Sequence, residues 1–256
     1  MRILMIGDVI GKPGREAVRA VLPGLKREKS IDFVICNGEN TAGGYGITED
    51  TASELLDSGV DVLTSGNHIW DKKEIIPLLD EGLPLIRPAN YPKAPGRGYI
   101  HKGGVTVINL MGRVFMASLD CPFRTADALL DRFKEEGESK VIIVDFHAEA
   151  TSEKQAMGWY LDGRVSGVLG THTHVGTIDA RILPNGTAYL TDVGMTGPRD
   201  SVIGSNVDTV LERFLTSMPN RLSVAAGPCV LNAALVDVDE ETGKASLIER
   251  VDRNVN

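Results

Sequence analysis

Two of the five histidines in the chain, His172 and His174, are separated by one residue in the segment GTHTHVG at 170–176. This segment follows the apolar run 165–169, which has the composition of a buried strand. If the segment stays extended, both imidazoles point to the same side and Thr173 points away, because side chains alternate along a strand. Imidazole is a common metal ligand, so the pair predicts a metal site with one ring for each of two ions.

Polar side chains of metal-ligand type also follow the other predicted strands. In open α/β sheets the ligand crevice lies beyond the carboxyl ends of the strands, so these side chains would meet at one edge. A single Asp or His in such a position is usually a cap or a hydrogen-bonded residue, but four of the five histidines follow predicted strands: His68, His147, His172 and His174. The candidate metal ligands are Asp8, Glu39, Asn40, Asn67, His147, His172 and His174.

The types of these ligands indicate which metals would bind. Carboxylate, imidazole and amide oxygen without thiolate suit iron or manganese, with zinc as an alternative. Seven ligands are too many for one four-coordinate ion that keeps an open position, so we expect two divalent ions joined by a bridging carboxylate, ~3.5–4 Å apart. The three cysteines, Cys36, Cys121 and Cys229, lie far apart in the sequence and are expected to be buried small hydrophobic residues.

The elements that would position the ligands alternate between short apolar runs and amphipathic segments, a pattern typical of βαβ units. Predicted strands lie at 2–6, 32–36, 60–64, 105–110, 140–145 and 165–169, and predicted helices at 13–29, 48–58, 71–81, 124–136 and 152–161. Two hairpins are predicted, 180–183 with 188–191 and 229–238 with 244–251. We expect two sheets facing each other with helices outside, in one domain over 1–256.

Composition and charge exclude several classes of protein. Hydrophobic residues make up 42% of the 256 residues and charged residues 24%, which is the balance of a folded globular chain and not of a disordered one. The net charge is −8 and no Lys/Arg-rich block is present, which argues against a nucleic-acid groove. Gly7 and Asp8 interrupt the N-terminal apolar run, and no other run approaches the ~20 residues that span a bilayer. We expect a cytoplasmic protein, with a homo-oligomer left open.

The motifs resemble those of the calcineurin-like metallophosphoesterase superfamily, whose last motif is Gly-His-x-His. More closely, they resemble the YmdB-like branch of bacterial phosphodiesterases, through the segments GDVIGKPGR, NGEN, GNHIWD, DFHAEATSEK, GTHTHV and TDVGMTGPRDSVIG. The resemblance covers nearly the whole chain, with the motifs in the family's order. It implies an α/β fold, a four-layer α/β/β/α sandwich of two mixed sheets. The implied activity is hydrolysis of a small phosphodiester, a 2′,3′-cyclic or 3′,5′-cyclic nucleotide, by in-line attack of a hydroxide that bridges the metals.

The resemblance also implies a role for each ligand. The first metal would be bound by Asp8 and His174, the second by Asn67, His147 and His172, and both by Glu39. His68 would lie beside the metals without binding them, as a general acid for the leaving oxygen or a stabiliser of transition-state charge. Two residues depart from the superfamily pattern, since Ile10 stands where a histidine is usual and Glu39 where an aspartate is usual. Asn40 is the candidate that replaces the missing histidine.

Further residues could support the site without binding metal. Metal-bound histidines usually donate their second N–H to a carboxylate or carbonyl, and Asp145, Glu149 and Asp192 follow predicted strands where they could accept it. Arg113 or Arg199 could bind the phosphate bidentately. Each of these residues could equally be a cap, a turn residue or a solvated side chain.

Other functions remain open from the sequence. A general phosphomonoesterase would use the same ions, and a regulatory or scaffold protein with a structural metal site would show weak or no turnover. An amidohydrolase also uses His-x-His, but normally at the end of the first barrel strand, whereas here the pair lies two-thirds along the chain. The segment GDVIGKPGR lacks the Gly-Lys-Ser/Thr ending of a P-loop, which argues against a nucleoside triphosphate site.

Overall fold

The computed structural model describes residues 1–137 and 140–255 as an alternation of strands and helices. The strands are β1 (Arg2–Ile6), β2 (Asp8–Val9), β3 (Phe33–Asn37), β4 (Val62–Thr64), β5 (Tyr99–Lys102), β6 (Val105–Met111), β7 (Val141–His147), β8 (Gly167–Thr171), β9 (Arg181–Ile182), β10 (Ala188–Leu190), β11 (Met195–Pro198), β12 (Cys229–Leu231), β13 (Ala233–Val238), β14 (Ala245–Arg250) and β15 (Arg253–Val255). The helices are α1 (Gly11–Lys29), α2 (Glu49–Asp57), α3 (Ile75–Leu78), α4 (Pro122–Glu136), α5 (Thr151–Leu161) and α6 (Val207–Thr216), and a 3₁₀ turn spans Asn67–Trp70.

Three β-sheets are present in the described part of the chain. The first has five strands in the order β14-β13-β1-β3-β4, in which β1, β3 and β4 are parallel and β13 runs antiparallel to β1. The second has six strands in the order β5-β6-β7-β8-β10-β9, with parallel pairing from β6 through β10. The third has four strands in the order β15-β12-β11-β2. The prediction of an α/β fold with mixed sheets is therefore confirmed.

The prediction of only two sheets is wrong, because the predicted strand 229–238 is divided at Asn232. The residues before the break form β12, which pairs with β11 and β15, whereas those after it form β13, which pairs with β1 and β14. The division creates the third sheet, whose strand β2 carries Asp8. The single domain over 1–256 stays a prediction.

Alternation of side chains along the strands explains how the first two sheets pack. In β1, Ile3 and Met5 belong to a buried cluster that also contains residues of β7 and β8, so the two sheets face each other through it. Leu4 and Ile6 point to the opposite face, in a cluster with residues of α1 and α2. The strand β7 behaves in the same way, with its other face packed against α4 and α5. Each fully buried aliphatic side chain contributes roughly 1.5–3 kcal/mol to this packing.

Most of the predicted helices are present, but the predicted helix at 71–81 is wrong. Only α3 forms there, after the separate 3₁₀ turn. Pro77 lacks the backbone N–H that a continuous helix over 71–81 would need at that position. Gly82 adopts φ 94°, which turns the chain away from a helical path. Among the described residues, no helix is both long enough and apolar enough to cross a membrane.

Candidate metal centre

The predicted ligands lie together where strands of the first two sheets end. Asp8 follows β1, Glu39 follows β3 and Asn67 follows β4, whereas His147 is the last residue of β7 and His172 follows β8. Asp8, Glu39 and His147 are fully buried. The sequence expectation that parallel strands would deliver these side chains to one edge matches this arrangement.

The ligand atoms form two groups that share one carboxylate. Glu39, His147 and His172 form one group and Asp8, Glu39 and His174 form the other, with all ligand atoms of a group within 4.8 Å of one another. Each group contains one imidazole of the His-x-His pair. The geometry can therefore accommodate two cations with Glu39 between them.

In the group that contains His147, three ligand atoms surround one ring nitrogen. His147 Nε2 lies 3.1 Å from Glu39 Oε1, 3.1 Å from Asn67 Oδ1 and 3.0 Å from His172 Nδ1. The N–H at His147 Nε2 can donate a good hydrogen bond to only one of these three atoms. The lone pairs of the other two then point toward the same nitrogen with no proton to share. A divalent cation would satisfy all of them at once.

In the other group a buried carboxylate oxygen lacks a hydrogen-bond partner. Asp8 Oδ1 has no partner among the described residues, and it lies 3.8 Å from His174 Nε2. Asn40 Nδ2 lies 3.2 Å from the same His174 nitrogen and donates to Glu39 Oε1 at 3.3 Å. An unpaired buried carboxylate oxygen is costly, and a cation at this position would remove the cost. The residues present therefore fit a metal ion.

All three candidate histidine ligands have a partner for the ring nitrogen that faces away from the groups. His174 Nδ1 lies 2.8 Å from the carbonyl oxygen of Ile203, and His172 Nε2 lies 3.1 Å from Glu149 Oε2. His147 Nδ1 lies 2.9 Å from Thr171 Oγ1. Such partners fix the tautomer, which leaves the inward nitrogen available to a metal.

Charges inside the centre shift the pKa values of its members in opposite directions. Burial raises the pKa of Asp8. Burial would also raise the pKa of Glu39, but the facing imidazolium of His147 lowers it to about 2. Burial opposes a charged His147, yet the Glu39 carboxylate raises the pKa of His147 to about 9. Burial and the neighbouring His147 charge together lower the pKa of His172 to about 3. Without metal, these shifts favour the imidazolium form of His147, whose second ring proton a cation would replace.

His68 lies beside the two groups without belonging to either. Its backbone N–H donates to Glu39 Oε2 at 3.1 Å, and its ring Nδ1 lies 2.8 Å from Asp71 Oδ2. The ring lines a cavity of about 300 Å³ that opens beside the candidate ligands. Gly66, two residues before His68, allows the backbone to come close to Glu39, since a Cβ at Gly66 would lie 2.5 Å from Glu39 Oε2.

The three acidic residues predicted to support the ligands make different contacts in the structure. Glu149 contacts a ring nitrogen of His172 directly, as described above. Asp145 acts through a hydroxyl, because Thr171 Oγ1 donates to Asp145 Oδ1 at 2.6 Å and faces His147. Burial raises the pKa of Asp145 to about 6. Asp192 has no histidine partner among the described residues and accepts instead from the backbone N–H of Thr173 at 3.2 Å.

Neither predicted phosphate-binding arginine lies at the cavity. The backbone N–H of Arg113 donates to the carboxylate of Glu153, and its side chain is exposed. Arg199 is exposed and pairs with Asp200. The Arg199 side chain is therefore held by Asp200 and the Arg113 side chain lies at the surface, and no Lys or Arg lines the cavity in the described part of the chain.

The GTHTHVG segment does not stay extended, so the prediction that Thr173 faces away, which depended on an extended segment, is wrong. β8 ends at Thr171, and His172 and His174 adopt φ values of 99° and 64°. The N–H of His172 donates to Asp8 Oδ2 at 3.1 Å and the N–H of Thr173 donates to Asp192, which bends the chain. Thr173 consequently lines the cavity with both histidines instead of facing away from them.

Sequence reasoning missed several residues that shape the centre. Asn37 donates to Asp145 Oδ2 at 3.1 Å and accepts from the N–H of Glu39 at 3.1 Å, so it joins the two sheets under the ligands. Its position at the end of a buried apolar run was a usable signal. Lys154 is 1% exposed and lies under the His-x-His turn, and Tyr45 lines the cavity. No sequence signal distinguished these two from ordinary helix and loop residues.

Comparison with known proteins assigns the chain to a class. It is 51% identical over 256 residues to the 2′,3′-cyclic-nucleotide 2′-phosphodiesterase of Bacillus subtilis, a match that covers 98% of this chain and 96% of the relative. A crystal structure described as a novel phosphatase, from Mycoplasma pneumoniae, superposes with a TM-score of 0.93 at 33% identity and covers 100% of this chain and 94% of that one. The predicted class of enzyme, a hydrolase that acts on phosphoric esters, is confirmed.

The family is shown by a match along almost the whole chain. Residues 4–251 match the family model described as YmdB-like protein, and the chain therefore belongs to the YmdB-like family. A crystal structure of a hypothetical protein from Thermus thermophilus superposes with a TM-score of 0.92 at 46% identity and covers 100% of both chains. The predicted resemblance is confirmed.

Proposed function

We propose that this chain is a two-metal phosphodiesterase that hydrolyses cyclic nucleotides. The observation that carries the proposal is the position of Glu39, whose carboxylate belongs to both groups of candidate ligands. The Bacillus subtilis relative is named for 2′,3′-cyclic nucleotides, so we propose a 2′,3′-cyclic monophosphate as the first substrate to test and a 3′,5′-cyclic monophosphate as the second.

The ligand set supports one cation in each group. We assign Asp8 and His174 to the first ion, Asn67, His147 and His172 to the second, and Glu39 to both. Asn40 would join the first ion through its amide oxygen, in place of the Nδ2 that faces His174. Two divalent ions bound there would lower the pKa of water to give hydroxide near neutral pH and would neutralise phosphate oxygens. Iron or manganese suits these ligands, and zinc is the alternative.

The electrostatic balance of the site favours an anionic substrate despite the acidic chain. Two divalent ions carry +4 and the carboxylates of Asp8 and Glu39 return −2, which leaves about +2 at the base of the cavity. Since no arginine or lysine among the described residues lines the cavity, the attraction for phosphate would depend on bound metal. A mixed-charge surface far from the site would contribute little at physiological ionic strength.

His68 supplies the proton that the leaving oxygen needs. Its Nδ1 faces Asp71 Oδ2 at 2.8 Å, so Asp71 orients the ring. The proton to be transferred then resides on Nε2.

The layer order α/β/β/α, the cytoplasmic location and the oligomeric state stay predictions of the sequence.

The decisive experiment combines metal analysis with turnover of bis(p-nitrophenyl) phosphate and of both types of cyclic nucleotide. We expect close to two ions per chain, because one carboxylate serves two groups. Glu39→Gln should lose metal and activity together, since a neutral amide bridges two cations poorly. Glu153→Gln is the matched control, because Glu153 is buried but accepts from the N–H groups of Arg113 and Val114 and not from a ligand.

Each outcome of this experiment has a distinct meaning. A metal-replete wild-type protein that is inert on every phosphodiester would contradict the proposal and favour a regulatory role. Faster turnover of p-nitrophenyl phosphate than of any diester would favour a general phosphomonoesterase. Full metal content in Glu39→Gln would show that the carboxylate does not bridge.

A further inference from the structure

One wall of the cavity at the metal centre is apolar and lies outside both groups of candidate ligands. The cavity, of about 300 Å³, has the candidate ligands and His68 on one side. The lining also includes five residues with apolar or aromatic side chains, which we call the apolar wall: Ile10, Tyr45, Ile203, Leu222 and Val224. A volume of this size is at the lower end of the ~300–1,000 Å³ that small-molecule sites occupy. Metal binding does not require this wall, so it is available to another part of the substrate.

Tyr45 presents an aromatic ring at the edge of this cavity. The residue is 38% exposed, and its ring meets the ring of His68 edge-on with 5.2 Å between centroids. The flanking Gly44 and Gly46 adopt φ values of 95° and 76°, which other residues rarely adopt, so they permit the tight loop that carries the ring. Ala42 N–H donates to Gly46 O at 2.9 Å and closes that loop. The ring is therefore held close to the proposed general acid.

The other part of the apolar wall is also fixed before any ligand binds. The segment 222–224 is held by backbone hydrogen bonds from Asn206 N to Ser223 O and from Ala225 N to Gly204 O, both 2.9 Å. The Tyr45 loop touches this segment, since a Cβ at Gly44 would lie 3.1 Å from Val224 Cγ2. A preformed wall loses little entropy on binding and so contributes to affinity.

The charges around the cavity indicate which chemical group the wall accepts. No Lys or Arg lines it among the described residues, and Glu149 adds negative charge at its edge. A second phosphate would be repelled there, whereas an uncharged planar group could stack on the Tyr45 ring and cover the aliphatic side chains. Aromatic side chains bind nucleobases in this way with little preference among bases, because each base has a π-face.

We propose that Tyr45 and the apolar wall form the nucleobase subsite of this enzyme, with Tyr45 as a residue that determines specificity for nucleotides over smaller phosphodiesters. The inference rests on the proposed function, because it assumes that the phosphate binds at the metals. Stacking stabilises the bound substrate and the transition state equally, so it should act on KM and leave kcat nearly unchanged.

The test compares a substrate that has a base with one that lacks it. Steady-state kinetics would be measured on 2′,3′-cyclic AMP and on methyl riboside 2,3-cyclic phosphate, with wild type, Tyr45→Ala and Tyr45→Phe. Tyr45→Ala should raise KM for the nucleotide roughly tenfold, the size of one stacking contact, and leave the baseless compound unaffected. Tyr45→Phe should behave as wild type because it keeps the ring. Phe214→Ala is the matched control, since Phe214 is 79% exposed and lies outside the cavity lining.

Two outcomes would overturn the inference. An equal loss on both substrates would mean that Tyr45 acts only by positioning His68, and unchanged KM values would mean that no base stacks there. If wild type turns over neither compound, the proposed function fails, but the subsite is still tested by calorimetric binding of both compounds to metal-loaded His68→Gln. Tighter binding of the nucleotide that disappears on adding Tyr45→Ala supports the subsite, and equal binding of the two compounds contradicts it.

Discussion

At the scale of single residues, the proposed general acid depends on one carboxylate. Asp71 is the acidic partner of the His68 ring, and the 3₁₀ turn brings both residues to the same side. An oriented imidazolium can deliver its proton only if the opposite nitrogen faces the substrate. The role of His68 therefore extends to a residue three positions later in the chain.

Substitution of this pair should separate catalysis from metal binding. His68→Ala should keep both metals and lose much of the roughly 10²- to 10⁴-fold contribution of a general acid to kcat. Asp71→Asn should lose part of the same contribution, because an amide orients the ring less firmly than the carboxylate. The measurements are kcat on a cyclic nucleotide and metal content of each variant, with Asp200→Asn as an exposed control paired only with Arg199 in the described structure. A kcat in Asp71→Asn equal to that of wild type would remove its orienting role.

At the scale of elements, the turn that carries His172 and His174 is strained and needs support. Non-glycine residues at positive φ cost roughly 1–3 kcal/mol each, and both histidines lie in that region. Support comes from α5, where Lys154 Nζ donates to Thr171 O at 2.7 Å and to Asp192 Oδ2 at 2.5 Å. Asp192 in turn accepts the N–H of Thr173. A buried ion pair thus holds the turn from below.

Removal of one member of this pair should weaken both the fold and the metal site. Lys154→Met leaves the Asp192 carboxylate buried without its cation and should lower the free energy of unfolding by roughly 3–5 kcal/mol. Metal affinity should fall roughly 10- to 100-fold, as for other groups that orient ligands. Denaturant unfolding and metal titration measure the two effects, with exposed Lys134→Met as the control.

A second substitution distinguishes the buried charge from lost packing. Lys154→Met combined with Asp192→Asn should regain part of the stability, because the unpaired carboxylate is gone, while metal affinity stays low because the turn is still unsupported. If Lys154→Met unfolds at the same denaturant concentration as Lys134→Met, the pair has no such role.

The element scale also explains which features the sequence could predict. Asp8, Glu39, Asn67 and His147 were predictable because each ends a strand, and parallel strands deliver their carboxyl ends to one edge. Thr173 was placed wrongly because the backbone N–H groups of His172 and Thr173 donate to Asp8 and Asp192, outside the segment, and bend it. The third sheet was missed for a related reason, since a break at Asn232 depends on tertiary pairing and not on local composition.

At the scale of the whole molecule, the candidate centre joins the two large sheets. Asp8 and Glu39 follow strands of the first sheet, whereas His147 and His172 belong to the second or follow it. A cation bound by ligands from both sheets would stabilise the native state by the free energy of binding, because the unfolded chain has no such site. Removal of metal by a chelator should therefore lower the melting temperature.

The stabilisation of the fold by metal should depend on pH, and the protonation of His147 determines whether it rises or falls as pH increases. In the metal-free protein its folded pKa, about 9, exceeds the ordinary value of 6.5. The His147 part of the stability that the His147–Glu39 pair contributes is thus fully present below pH 6.5 and is lost as pH rises through 9. Glu39, with a pKa of about 2 against 4.5, contributes above pH 4.5 and loses its part as pH falls through 2. The metal-free fold gains most from the pair between pH 4.5 and 6.5.

Metal binding must displace the proton on His147, so the metal-loaded protein follows the opposite trend. Apparent affinity for Mn²⁺ should rise by roughly tenfold per pH unit below about 9, as one proton is released for each ion that enters this group. The increase in melting temperature on adding Mn²⁺ should accordingly be larger at pH 8 than at pH 6, and calorimetry in two buffers of different ionisation enthalpy should count the released proton. His147→Asn removes the titrating ring and should flatten the dependence. Equal Mn²⁺ affinity at pH 6 and pH 8 in the wild type would contradict this prediction. It would mean that His147 is neutral in the metal-free protein and forms no ion pair with Glu39.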